Sequence, residues 1–363
     1  MEQTKGKISA FQFFVMLFLS RTLTTVTYLS SYTEDIRLSD MLVQPIFRIT
    51  IGILIMLPLY FFYRKHSDKN ILQFANDKSK IFGKFLAVVF VLYFFYFTVA
   101  TIARLDLFAG TIVFPETDVK YLLIFAVILC CYGAYLGLEA LGRTSVISAI
   151  FVISALAFIM LSLVKKVDLL NLTPVFYNGV MPVVKTAVDS IGQTVEYGII
   201  ALMFPWVTGK YRKGYYIWLF SQVSLMALMF FFACTIMGNY ASTQLFPFHT
   251  MASLAEFSMF TRLDAIFTGV WIMCAFIKAG LLIYLQAEIL TAYFGKFKRV
   301  HYLIAIALIT ITANLFISQR VERFMIIDNS LIKVIFTGIT VVIIPLLMLF
   351  LRGKENDKCE MQV

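Results

Sequence analysis

Charge is what this chain has least of. Only 14% of its residues are Asp, Glu, Lys or Arg, where a soluble domain carries about a quarter. That shortage, with 60% hydrophobic residues and 37 phenylalanines, excludes a soluble globular protein and points to an integral membrane protein with many spans. Histidine is scarce as well: His66, His249 and His301 are scattered and make no metal-ligand spacing. Five cysteines suggest no disulfide framework, because Cys130, Cys131, Cys234 and Cys274 fall in apolar segments and Cys359 in the tail. No nucleophile and base stand in a recognisable constellation, which argues against an enzyme and calls for no cofactor. The formal net charge of +10 tempts a nucleic-acid reading. Basic membrane proteins, however, usually owe such charge to cytoplasmic loops.

What is present is a series of apolar segments of spanning length. They lie at roughly 8–32, 41–63, 84–112, 120–138, 143–164, 186–208, 214–239, 264–290, 301–318 and 331–351. Lys5 and Lys7 before the first run resemble a signal-peptide start, but no small-residue cleavage site follows, so the run is read as span one. The fold expected is all-α and transmembrane, one domain over 1–363 with a short tail at 352–363. Eighteen Lys and Arg residues fall on the side of both termini and nine on the other, so the positive-inside rule places both termini in the cytoplasm. Ten spans divide into five plus five. Five is odd, so the second half (about 186–351) would enter the membrane inverted relative to the first (about 8–164), as in many secondary transporters.

Such repeats break their first and sixth spans near the midplane. In span six, Gly192 and Gly198 bracket Gln193, Thr194 and Glu196, and Pro205 follows. That composition suits an unwound segment with polar groups to satisfy freed backbone. Span one has a polar run, Ser20-Arg21-Thr22-Leu23-Thr24-Thr25, and no glycine or proline. Two readings stay open there: a break, or a continuous helix whose hydroxyls bond their own backbone. Broken spans would aim half-helix N-termini at the midplane, where their positive ends favour a carboxylate. An amino acid fits that site, with its ammonium toward Glu196. Tyr93, Phe94, Phe95, Tyr96 and Phe97 in span three offer an aromatic wall, although such runs also serve as ordinary packing. Lys278 stands mid-way along span eight, where a charge is costly and points to a partner or cavity. Arg21, Glu196 and Lys278 are the deep charges. Arg48, Asp189 and Glu288 lie near enough to span ends to reach the interface. Between spans seven and eight, Pro247 stops the preceding helix and 250–256 reads as a short amphipathic helix.

The residues also resemble a family. KISAFQFFVMLFLSRT (7–22), IARLDLF (102–108), PET (115–117), GLEALGR (137–143), NLTPVFYNGVMPVV (171–184) and FTRLDAIFTGVWIMCAFIK (260–278) run in order through nearly the whole chain. Together they are similar to the B subunits of spore nutrient germinant receptors, the endospore germination permeases. That family is a branch of the amino acid–polyamine–organocation superfamily with the LeuT-type inverted repeat. The resemblance implies a nutrient sensor in the inner membrane of a bacterial spore. It would bind an amino acid or similar small molecule and act with A and C subunit partners. The alternative is a proton- or sodium-coupled amino-acid transporter. The expected ligand-binding set is Thr22, Thr24, Thr25, Tyr93, Tyr96, Gly192, Gln193, Glu196, Gly198 and Lys278. One departure stands out: relatives usually carry a glycine-containing motif in span one, where this chain has Arg21.

Overall fold

A computed structural model describes residues 8–27, 39–66, 69–116, 119–173, 176, 179–209, 211–257 and 262–350. Nearly all of them are helical. Among the described residues seven helices are long and apolar enough to cross a membrane, and two shorter apolar helices accompany them. In chain order the spans are α1 (Ala10–Val26), α2 (Gln44–Lys65), α4 (Lys80–Phe108), α5 (Val119–Leu136), α6 (Leu138–Leu163), the pair α7 (Met181–Gly192) and α8 (Glu196–Met203), α9 (Tyr211–Met237), α11 (Asp264–Phe294), α12 (Arg299–Ser318), and α14 (Ser330–Thr337) continuing into α15 (Ile344–Phe350). Short helices α3 (Ile71–Lys78), α10 (Pro247–Ser253) and α13 (Val321–Ile327) fill the connectors.

Local chemistry sets the ends. Ser9 caps α1 by accepting from the Gln12 amide at 3.2 Å. Asn70 and Gln73 form a reciprocal capping box on α3. Between α5 and α6 a single residue, Gly137, turns the chain at φ 99°, a backbone state that a Cβ would strain. A two-residue parallel pairing, Ile8 with Val207 and Ser9 with Thr208, ties the start of α1 to the chain just past α8.

Helix α11 is the axis of the molecule. It packs on α1, α4, α5, α6 and α12, and 67% of its most apolar window is buried, against 28% for α2 and α12. The peripheral helices carry the complementary face: Phe125, Ile128, Ile147, Ile150 and Ile309 are exposed, as an apolar belt against acyl chains requires.

Span six is broken. The helix stops at Gly192, and Gln193, Thr194 and Val195 link it to α8. Span one is not broken at its polar run, since α1 is continuous from Ala10 to Val26. Thr22 and Thr27 donate to the carbonyls of Phe18 (2.8 Å) and Leu23 (2.6 Å), so the hydroxyls are satisfied within the helix. Residues 28–32, the end of the expected span, lie outside the described residues. The connector helix after span seven starts at Pro247 rather than Thr250, and it buries Phe248, His249, Met251 and Ala252. Arg48 does not reach an interface either; it is 1% exposed.

Candidate functional site

Three helices meet at one ammonium. Lys278, on α11, donates from Nζ to the Thr24 hydroxyl (2.8 Å), the Ser20 carbonyl (3.3 Å) and Glu196 Oε1 (3.3 Å). The same Glu196 oxygen accepts from the Ser20 hydroxyl at 2.5 Å. Lys278 and Glu196 are both buried, so this is an ion pair out of water that ties α1, α8 and α11 together. The break places Glu196 there, as the first residue of α8. The positive helix end thus already has an acid of its own, and among the described residues α1 shows no half-helix end at its polar run. Among the described residues, the start of α8 is thus met by Glu196 and not left open at the midplane.

A second charged cluster closes the other side of the break. Arg104 pairs with Asp328 at 2.7 Å, and Lys333 reaches the same carboxylate at 2.5 Å. Arg104 also donates to the Gln193 side chain at 3.3 Å. The order of the sequence hid this cluster, because Asp328 and Lys333 sit in and beside a connector and Lys333 reads as a loop cation. The available signal was the five-residue spacing of an acid and a base just before an apolar run.

Between the clusters lies a cavity of about 430 Å³. Its wall includes Thr24, Thr25 and Thr27 of α1, Gln44 of α2, Ser190 and Asp189 of α7, Gln193 at the break, and Arg21, Arg104 and Asp328. A small void of about 20 Å³, room for one water, adjoins Lys278 and shares Thr24, Gln193 and Arg104 with that wall.

Of the expected ligand set, the structure brings Thr24, Thr25 and Gln193 to the cavity, and Lys278 and Glu196 directly behind Thr24. Thr22 faces α9, where Gln222 reaches both its hydroxyl (3.5 Å) and the Phe18 carbonyl (2.8 Å). In the expected aromatic wall, Phe97 lines the small void beside Lys278, while Tyr93 and Tyr96 are engaged in packing. Tyr93 lies against Gly198, where an added Cβ would stand 2.4 Å from its ring. Tyr96 donates to the Ile327 carbonyl at 2.6 Å and stacks on Phe336. Gly192 likewise serves contact, with Val334 where its Cβ would be. Gly192 and Gly198 both have ordinary helical backbone.

The comparisons with known proteins now bear on this geometry. One solved structure of similar fold is a substrate-bound, outward-open state of a Na+-coupled sialic acid symporter. It matches with a TM-score of 0.61, 13% identity, and coverage of 96% of this chain and 91% of that one. That likeness carries the fold, a LeuT-like transporter architecture, and no more. A curated relative from Bacillus subtilis, named "Putative spore germination protein YfkT", is 28% identical over 236 residues. The match covers 63% of this chain and 65% of the relative's length, so it spans a little under two thirds of that protein. The profile of a whole family, described as spore germination protein, matches residues 7–323. The chain is a multi-pass membrane protein and belongs to the spore germination protein family of permeases.

Proposed function

We propose that this protein is the membrane subunit of a spore nutrient germinant receptor. An amino acid or similar small nutrient binds in the cavity beside the break of span six. It acts with A and C subunits in the inner membrane of the spore, with both termini cytoplasmic. Family membership supports the germination role, and the excess of basic residues in the loops on the side of the termini supports the orientation.

Thr24 is the observation that carries the site. It lines the cavity, and its hydroxyl accepts from Lys278 at 2.8 Å. An occupant that engages Thr24 and Gln193 therefore changes the surroundings of the buried Lys278–Glu196 pair. Lys278 acts in this reading as a tethered cation, in place of a bound coupling ion, and transmits occupancy to α1, α8 and α11.

The test is ligand-induced thermal stabilisation of the purified protein, paired with nutrient-triggered germination. Loss of one neutral hydrogen bond costs about 0.5–1.5 kcal/mol. Thr24→Val and Gln193→Ala should each weaken nutrient binding by roughly 3–10-fold on that basis. Lys278→Met and Glu196→Gln should leave protein in the membrane with an altered germination response. A wild-type response in both sinks the role of the pair. Transporter activity is the second reading, favoured by the symporter-like fold. Concentrative uptake of labelled amino acids into proteoliposomes would establish it, and binding without uptake supports the receptor.

A further inference from the structure

The ion pairs leave two buried guanidinium groups over. Lys278, Arg104 and Lys333 each reach a carboxylate. Arg21 and Arg48, at 2% and 1% exposure, reach none among the described residues. Arg21 engages one nitrogen, Nη2, with the Ser190 hydroxyl (2.8 Å) and carbonyl (3.1 Å). Its Nε and Nη1 have no acceptor among the described residues. Arg48 donates from Nη1 to the Met226 sulfur at 3.1 Å, a weak acceptor, and its Nε has no partner among the described residues. A buried cation without a counter-charge is among the most expensive arrangements a fold can keep.

Arg21 is part of the cavity wall, together with Ser190 and Met226, the two residues that hold these guanidiniums. The carboxylates of the same wall are Asp328, already shared by Arg104 and Lys333, and Asp189 on α7. Glu196 lies one layer behind, held by Ser20 and Lys278. We propose that the cavity takes a small organic anion carrying a carboxylate beyond that of a neutral amino acid. That carboxylate docks on Arg21, whose two unengaged nitrogens are buried behind the wall and turn to meet it, with Arg48 adding positive charge from behind Met226. A neutral zwitterion brings no net charge to offset these guanidiniums, whereas an acidic amino acid or a dicarboxylate does. Guanidinium groups are well suited to the task, since their charge-assisted bonds to carboxylates are roughly twice as strong as neutral ones. The inference rests on the reading of this cavity as the ligand site.

Thermal stability of the purified protein in detergent, at constant ionic strength, tests it. The probes are L-aspartate, L-glutamate and succinate against L-alanine, L-asparagine and L-glutamine. The variants are Arg21→Met, Arg21→Lys and Gln193→Ala. The acids should raise the unfolding midpoint of the wild type well above the effect of the amides. Arg21→Met should weaken the acids at least tenfold while its own midpoint stays at or above wild type, because methionine removes an uncompensated buried charge. Arg21→Lys should keep the preference for acids at reduced affinity. Unchanged acid affinity in Arg21→Met overturns the proposal. So does stabilisation of wild type and Arg21→Met alike by the neutral amino acids. In that case a loss of their effect in Gln193→Ala would leave the nutrient site itself standing. No stabilisation by any probe overturns this inference and the site reading together.

Discussion

Lys278 and Glu196 form a unit whose energetics follow from their burial. Removing one member of a buried pair strands the other charge and typically costs about 3–5 kcal/mol, whereas replacing both with apolar or neutral groups is often near neutral. Lys278→Met should therefore destabilise the protein by that order, and so should Glu196→Gln, which leaves the ammonium with neutral acceptors alone. The double change should recover most of the loss. Unfolding midpoints of the three variants in detergent form the cycle, and simple additivity would count against the pair as a unit. Arg21 is the contrasting case. Its Nη2 holds Ser190, while Nε and Nη1 have no partner among the described residues, so its truncation strands no opposite charge. Arg21 in the cavity wall and Lys278 behind it thus carry opposite expectations on mutation.

At the scale of elements, the break of span six was legible in the sequence, and for reasons that need restating. Gln193, Thr194 and Glu196 between two glycines mark a place where helix gives way to polar satisfaction. The glycines, however, are there for close packing rather than for backbone freedom. A Cβ on Gly192 would come within 2.8 Å of the Val334 backbone and 2.4 Å of its side chain, and backbone cannot move aside cheaply. Gly192→Ala should push α14 off α7 and cost about 1–3 kcal/mol, the usual range for overpacking, read as a lowered midpoint. It should also weaken nutrient binding, because Gln193 is the next residue. Span one was harder to read. Its run of Ser and Thr is compatible with a break or with hydroxyls bonded one turn back, and composition cannot separate the two. Carbonyls that a break would have exposed are reached instead by Gln222 at Phe18 and by Lys278 at Ser20. Those partners come from α9 and α11, some two hundred residues away. The same distance explains Arg104, Asp328 and Lys333. A charge in span three and two beside a connector become one cluster only once the corner between α13 and α14 is folded against α4.

For the whole molecule, the decisive question is which face the cavity opens toward. The wall residues cluster at the C-terminal end of α1, the N-terminal end of α2 and the segment from Asp328 to Ser330 that leads into α14. All of these lie at the end of the bundle opposite the start of α1. If the basic loops are cytoplasmic, the cavity faces outward, where a spore would meet nutrient. Labelling with a membrane-impermeant maleimide decides it. Cys130, Cys234 and Cys274 are buried and suited to serve as a silent background, while the half-buried Cys131 and the tail Cys359 are changed to serine. Thr243 and Lys296 are both exposed, one after α9 and the other after α11, so a single span separates them. Thr243→Cys should label in intact cells, and Lys296→Cys only after permeabilisation. The reverse pattern would turn the cavity toward the cytoplasm and, with it, remove the reason to read the occupant as a signal from outside.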